Sequence, residues 1–155
     1  MQIKLICIGK TNLDYVQAGI ALYLKRLTHY IKFDIIELAT IKHSKNLPKG
    51  QLLKAEADLF LKHIEHDYII TLDEKGKALN STEFSDFINQ KLNQSITSIT
   101  FLIGGAYGFH QSIYDKANAS IALSKMTFPH QLVRLIFVEQ LYRAFTIIKN
   151  ESYHH

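Results

Sequence analysis

The residue types best suited to chemistry in this chain sit in two loops punctuated by glycine and proline. The apolar run Phe101-Leu102-Ile103 leads into Gly104-Gly105-Ala106-Tyr107-Gly108, and a second run leads into Leu123-Ser124-Lys125-Met126-Thr127-Phe128-Pro129-His130. Glycine lets backbone amides approach a small molecule closely, and the open ends of α/β strands are where such molecules lie. Two loops leaving neighbouring strands therefore suggest one backbone-lined ligand site near the C-terminus.

Other chemistries find less support. Gly104, Gly105 and Gly108 do not have G-x-G-x-x-G spacing and follow the fourth apolar run, not the first, so a dinucleotide fingerprint is weak, and a P-loop is absent. Of the scattered histidines only His63 and His66 have ligand-like helical spacing, with no third ligand in register, so no metal is expected. No serine occupies a G-x-S-x-G elbow, and Cys7 lies in an apolar run where a small buried hydrophobe fits better than a nucleophile. What remains is a site of backbone groups, apolar side chains and a few cations, suited to a cofactor that carries its own reactivity. S-adenosylmethionine is such a cofactor, because its sulfonium methyl needs chiefly an aligned nucleophile. Leu72, Leu102, Leu123, Met126 and Phe128 are candidates to sandwich an adenine, each with ordinary strand-end core as the competing reading.

The elements that must position these loops alternate along the chain. Strands are expected at 3–8, 33–38, 68–72, 99–103 and 120–123, and helices at about 14–27, 51–64, 84–92, 111–116 and 130–149. Asn12 or Asp14 is placed to cap the first helix, whose apolar face runs through Leu13, Val16, Ile20, Leu24 and Leu27. The second helix turns Leu52, Ala55, Leu59 and Phe60 inward, residues 73–78 read as a charged turn, and Asn80-Ser81-Thr82-Glu83 has capping-box spacing. Strands separated by helices imply an α/β fold with a mostly parallel sheet and helices on both faces.

At 155 residues, 47% of them hydrophobic and 21% charged, the chain reads as a single domain over 1–155. No apolar stretch reaches the roughly 18 residues that span a bilayer, and no leader is visible, so neither a membrane nor an export route is expected. A lone cysteine with no internal disulfide makes the cytoplasm the default setting. The net charge of +4 is modest, but Lys42, His43, Lys45, Lys49, Lys75 and Lys77 crowd connections. These read either as solvated loops or as a surface for phosphate. The final helix is apolar around nearly its whole circumference, from Leu132 through Phe137 and Leu141 to Ile148. One sheet face does not cover such a helix, and a homodimer packed through it is expected.

Taken together, Leu102-Ile103-Gly104-Gly105 with Gly108, Leu123 to His130 with Leu132-Val133-Arg134, Glu139-Gln140-Leu141-Tyr142-Arg143-Ala144 and Tyr153-His154 resemble the bacterial large-subunit ribosomal RNA pseudouridine N3-methyltransferase family, of the SPOUT class. Gly9, Asp14-Tyr15-Val16-Gln17, Tyr23-Leu24 and Thr71-Leu72-Asp73 with Gly76-Lys77 extend the resemblance over nearly the whole chain. It implies an α/β fold whose C-terminal part threads a trefoil knot, an obligate homodimer, and S-adenosylmethionine bound in the knot. It also implies methylation of a pseudouridine in 23S ribosomal RNA on the assembled ribosome. Cofactor contacts carry onto Leu72, Gly104 and the loop Leu123, Ser124, Lys125, Met126, Thr127 and Phe128, with Gly105 beside them as a close backbone approach. A different RNA target on the same knotted fold, or a ribosome-binding protein without catalysis, remain the alternatives.

The N3 of a pyrimidine imide bears a proton that must leave, so a base or anion-stabilising cations are needed. Arg143, Tyr153 and His154 are the candidates, and Glu139 stands four residues before Arg143, where it can orient it or merely decorate the helix. The tail departs from the commoner family ending. Glu151-Ser152 replace His-Pro ahead of Tyr153-His154, and His155 replaces a basic residue, which implies a less rigid and less basic approach for RNA.

Overall fold

Side chains on the first strand alternate between two cores, and that alternation dictates the layers. In β1 (Gln2–Ile8), Ile3, Leu5 and Cys7 enter one core, while Ile6 and Ile8 enter the other. A strand buried on both faces needs helices above and below it. The computed structural model describes residues 1–64 and 68–154; His66, and with it the His63–His66 pair, and His155 lie outside the described residues. After β1 come α1 (Asp14–Leu27), β2 (Lys32–Leu38), a 3-10 turn at Ser44–Asn46, α2 (Lys49–Leu61), β3 (Tyr68–Ala78), α3 (Ser81–Leu92), β4 (Ser98–Ile103), α4 (Gln111–Lys116), β5 (Ala119–Ala122) and α5 (Leu132–Ile148).

All strand pairings are parallel, in the order β2-β1-β4-β3-β5. The steps β1 to β2 and β3 to β4 run one way across the sheet, and β2 to β3 and β4 to β5 run the other. Right-handed crossovers then send α1 and α3 to one face and α2 and α4 to the opposite one. The two cores agree. Leu27, Phe84, Ile88, Phe137 and Leu141 of α1, α3 and α5 fill the first, and Ala57, Phe60 and Ile113 of α2 and α4 fill the second. Phe101 of β4 and Phe137 of α5 meet with ring centroids 4.6 Å apart, both fully buried. Burying one such ring stabilises the fold by about 1.5–3 kcal/mol.

Several helix ends are set locally. The expected capping box on α3 is present: Asn80 Oδ1 accepts from Glu83 N at 2.9 Å, and Glu83 Oε2 accepts from Asn80 N at 2.8 Å. At the close of α5, Asn150 adopts φ +53°, Glu151 N donates to Thr146 O at 2.8 Å and Asn150 N to Ile147 O at 2.9 Å, the two bonds of a Schellman motif. The start of α1 differs from expectation. Leu13, not Asn12 or Asp14, is the N-cap and gives no side-chain bond. Gln131 Oε1, from the foot of α5, instead accepts from Asn12 N (2.8 Å) and Leu13 N (3.1 Å), so the cap arrives from 118 residues away.

Three further expectations are corrected. Residues 73–78 do not form a charged turn; β3 continues through them to Ala78 with a shifted register against β5. Gly76 permits this, because a Cβ there would stand 2.6 Å from the backbone N of Ile121. The buried side of α2 includes Glu56 and Ala57, rotated from the expected Ala55 stripe, and Leu13 of the α1 stripe is exposed. Finally, α5 is largely covered within the chain, since α1 and α3 pack along its two sides and Gly19 lets α1 lie close against Leu135. No residue from 131 to 148 is fully exposed, although Leu132, Ile136, Tyr142 and Ile147 stay only half-buried.

Candidate active site

The middle of β3 and the loops after β4 and β5 meet in a cavity of about 530 Å³ at the C-terminal edge of the sheet. Strand order reverses around β4, and crevices form at such switch points because successive connections leave to opposite faces. Leu72, Gly104, Gly105, Leu123, Ser124, Met126, Thr127 and Phe128 all line this one cavity. Lys125 of the same loop does not line it. Leu102 lies elsewhere, fully buried in the second core beneath α2 and α4, and has no face toward an adenine.

Gly104 and Gly105 are required for different reasons. A Cβ on Gly104 would stand 2.5 Å from the carbonyl oxygen of Gly108, a main-chain atom that cannot turn aside. Gly108 itself holds φ +78°, and its N–H donates to Gly105 O at 3.2 Å, closing a tight hairpin. A Cβ on Gly105 would meet Glu56 Oε1 at 2.6 Å. Glu56 is 8% exposed, and burial raises the pKa of its carboxyl above the usual range. Asp73, from the shifted part of β3, receives a hydrogen bond from the Tyr114 hydroxyl and accepts from Lys75 N at 2.8 Å. Burial, then this bond, pushes the Tyr114 phenol up to about 12.

Behind the cavity, Arg134 is fully buried and ties the N-terminal end of α5 to the end of β1. Its Nη1 donates to Gly9 O (2.9 Å) and Thr11 Oγ1 (2.8 Å), its Nη2 donates to Ile8 O (2.7 Å), and Glu37 lies 3.6 Å away. Nη2 also faces Nε2 of the cavity residue His130 at 2.9 Å. A buried guanidinium is retained where its donors meet fixed carbonyls. Burial pushes the Cys7 thiol, on the same strand, up to about 11, leaving it protonated and inert, the small buried hydrophobe its sequence context implies.

The catalytic candidates cluster at the other end of α5. Arg143 donates to Glu139 Oε1 through Nη2 (2.6 Å) and Nε (3.0 Å), and the Tyr153 hydroxyl donates to the same oxygen at 3.1 Å. The Arg143 guanidinium lies 4.8 Å from the Tyr153 ring centre, its Nη1 is 3.4 Å from His154 Nδ1, and Tyr23 touches the Tyr153 hydroxyl at 3.2 Å. The Glu139 hydrogen bond raises the Arg143 pKa; burial, then Tyr23 and Glu139, raise that of Tyr153. Glu151 does not hang free, since it accepts from the Tyr30 hydroxyl at 2.5 Å. None of Arg143, Tyr153 and His154 lines the cavity. Val133 does, and Arg143 lies ten helical steps further on, about 15 Å along the axis.

Residue types alone do not single out Glu56 or Tyr114, and they give no role to Asp73, His130 or Arg134, which the sequence marks only as members of the loops and motifs. The one usable signal is an ionisable residue interrupting an apolar helical face, as Glu56 and Arg134 do.

Comparison with known proteins converges on one family. Residues 1–154 match the family model described as "Predicted SPOUT methyltransferase". The chain is 51% identical to a protein of Flavobacterium psychrophilum and 48% identical to one of Christiangramia forsetii, over all of this chain and 99% of each relative. Both relatives bear the name ribosomal RNA large subunit methyltransferase H. Among solved structures, the tRNA (m1G37) methyltransferase of Aquifex aeolicus superposes with a TM-score of 0.55 at 13% identity, covering all of this chain and 75% of that one. A probable methylase family protein of Haemophilus influenzae gives 0.53 at 10% identity, covering 99% of this chain and 70% of that one. At such identities these two likenesses concern the fold.

Proposed function

This chain belongs to the SPOUT methyltransferase family, and on that footing we propose that it transfers a methyl group from S-adenosylmethionine to N3 of a pseudouridine in 23S ribosomal RNA, on the assembled ribosome. One observation carries the reading: strand β3 and the loops after β4 and β5, holding nearly every residue the resemblance assigns to the cofactor, close on a single cavity.

The cavity suits that cofactor. Its volume falls within the range typical of small-molecule sites, about 300–1,000 Å³. Bare backbone at Gly104 and Gly105 and apolar walls at Leu72 and Leu123 give polar edges and flat contacts for a nucleoside. When bound, S-adenosylmethionine supplies an electrophilic methyl group whose leaving thioether needs no proton. Leu72, Leu123 and Phe128 would flank its base, and the main chain of 104–105 and 123–128 would meet its polar atoms.

The chain must also manage the proton on N3. Tyr153, its pKa raised, stays a phenol at neutral pH and gives its one proton to Glu139, which holds that carboxylate beside Arg143. Arg143 Nη1 faces Nδ1 of His154 at 3.4 Å, so the guanidinium and the imidazole act at one place. The Arg143 N–H groups that Glu139 does not take are the donors this cluster offers to negative charge on an imide oxygen. His154, at the end of this cluster, is the group proposed to receive the N3 proton.

Within one chain this cluster stands about 15 Å of helix from the cavity. A homodimer that places one subunit's tail over the other's cavity would unite the two, and the half-buried flank of α5 offers an apolar seam. The knot of the C-terminal part and a cytoplasmic setting belong to the same proposal; no helix among the described residues is long and apolar enough to cross a membrane. Purified protein incubated with labelled S-adenosylmethionine and ribosomes lacking the modification should label one pseudouridine, located by mass spectrometry. Label confined to free transfer RNA would overturn the substrate.

A further inference from the structure

Two of the six large apolar side chains left most exposed among the described residues, Tyr107 and Met126, stand in the lining of the cavity, on loops from different strands. Scattered exposed hydrophobes are ordinary, but two at one cavity mouth describe a surface made to be covered. Tyr107 is 56% exposed. It sits in the hairpin closed by the Gly105–Gly108 bridge, where the left-handed turn at Gly108 sets the backbone that carries the ring. Lys49, the first residue of α2, reaches this hairpin and holds its Nζ 5.5 Å from the Tyr107 ring centre. It ends the basic segment that begins at Lys42 and includes His43 and Lys45.

An ammonium over one face of a phenol ring leaves the other face open, and at an exposed site that contact is weak enough for the lysine to turn to a stronger anion. An accessible ring with a neighbouring cation is how proteins hold an unpaired nucleotide: the ring stacks on the base and the cation meets the phosphate. The geometry points to a docking platform at the cavity mouth for one unstacked nucleobase of the RNA, with Tyr107 as the stacking surface and Lys49 facing the adjoining phosphate. This inference rests on the RNA-methyltransferase reading above and adds the residues that receive the strand.

The test compares wild type with Tyr107→Ala, Tyr107→Phe and Lys49→Ala in three measurements. These are S-adenosylhomocysteine affinity by calorimetry, kcat and KM with ribosomes lacking the modification, and filter binding of an unstructured oligouridine. Tyr107→Ala should raise KM and weaken oligouridine binding about tenfold, as loss of one stacked base requires, with S-adenosylhomocysteine affinity and kcat within about twofold. Tyr107→Phe keeps the ring and should match wild type. Lys49→Ala should have a smaller effect and lower the salt dependence of binding by about one phosphate contact. If Tyr107→Ala instead loses S-adenosylhomocysteine, the ring belongs to the cofactor site and the platform is refuted; unchanged KM and oligouridine binding refute it as well. Wild type that binds oligouridine through Tyr107 but labels no ribosome would sink the functional reading and spare the platform.

Discussion

The two ends of α5 solve different problems with different materials. At its N-terminal end lies a cavity shaped by backbone: strand termini, two glycines that admit no Cβ, and apolar walls. At its C-terminal end lies a cluster of side chains in which one carboxylate, Glu139, organises Arg143 and Tyr153. A backbone cradle fails when the main chain cannot take its shape, and almost regardless of which side chains surround it. A side-chain network fails when one partner is removed, because the groups left behind are polar and partly desolvated. The first suits holding a molecule that brings its own reactivity, and the second suits handling a proton.

The contrast is sharpest at Gly104. Gly104→Ala drives a Cβ against the Gly108 carbonyl, so S-adenosylhomocysteine affinity by calorimetry should fall more than about 100-fold, the loss that a close main-chain approach implies. Normal binding by the Gly104→Ala variant would show that the cradle is not backbone-limited. Next, His154→Ala should slow single-turnover methyl transfer by about tenfold or more while leaving S-adenosylhomocysteine affinity unchanged. An equal loss of both would merge the two regions into one binding site.

Gly105 allows a finer separation, because its obstacle is a side chain. Gly105→Ala should weaken S-adenosylhomocysteine about tenfold, and Glu56→Ala in the same protein should recover most of that affinity, a coupling typical of touching residues. Additive losses in the double variant would place the obstruction elsewhere. The smallest effect expected is on stability at alkaline pH. The Tyr114 phenol is raised from 10.0 to about 12 in the fold, so the stability it contributes is fully present below pH 10 and lost as pH rises toward 12. Urea titrations should show Tyr114→Phe with a shallower decline over that window than wild type. Identical slopes would separate the phenol from the alkaline transition.

Much of this was readable before folding. Alternating apolar runs mark all five strands, the Asn80–Glu83 spacing marks a capping box that forms, and glycine and proline mark the loops that line the cavity. The failures share a cause. The true cap of α1 is Gln131, the continuation of β3 through charged residues 73–78 depends on Gly76 lying against Ile121, and the cover on α5 comes from α1 and α3. Each is a contact between segments remote in sequence, and local propensity carries no information about partners that far away. Glu56 and the structural role of Arg134 were hidden for the same reason, since what a charged residue on an apolar face does is legible only once its buried neighbours are known.

What the sequence determined by itself is therefore the period of each segment, the places where the backbone must turn without a Cβ, and the family to which those markers belong. Which loops share a cavity, and how far that cavity stands from Arg143, Tyr153 and His154, only the tertiary structure decided. Periodicity and glycine act over a few residues, whereas strand order and helix length act across the whole molecule. In the sequence α5 is one mostly apolar stretch, but in the fold its length holds two polar centres apart.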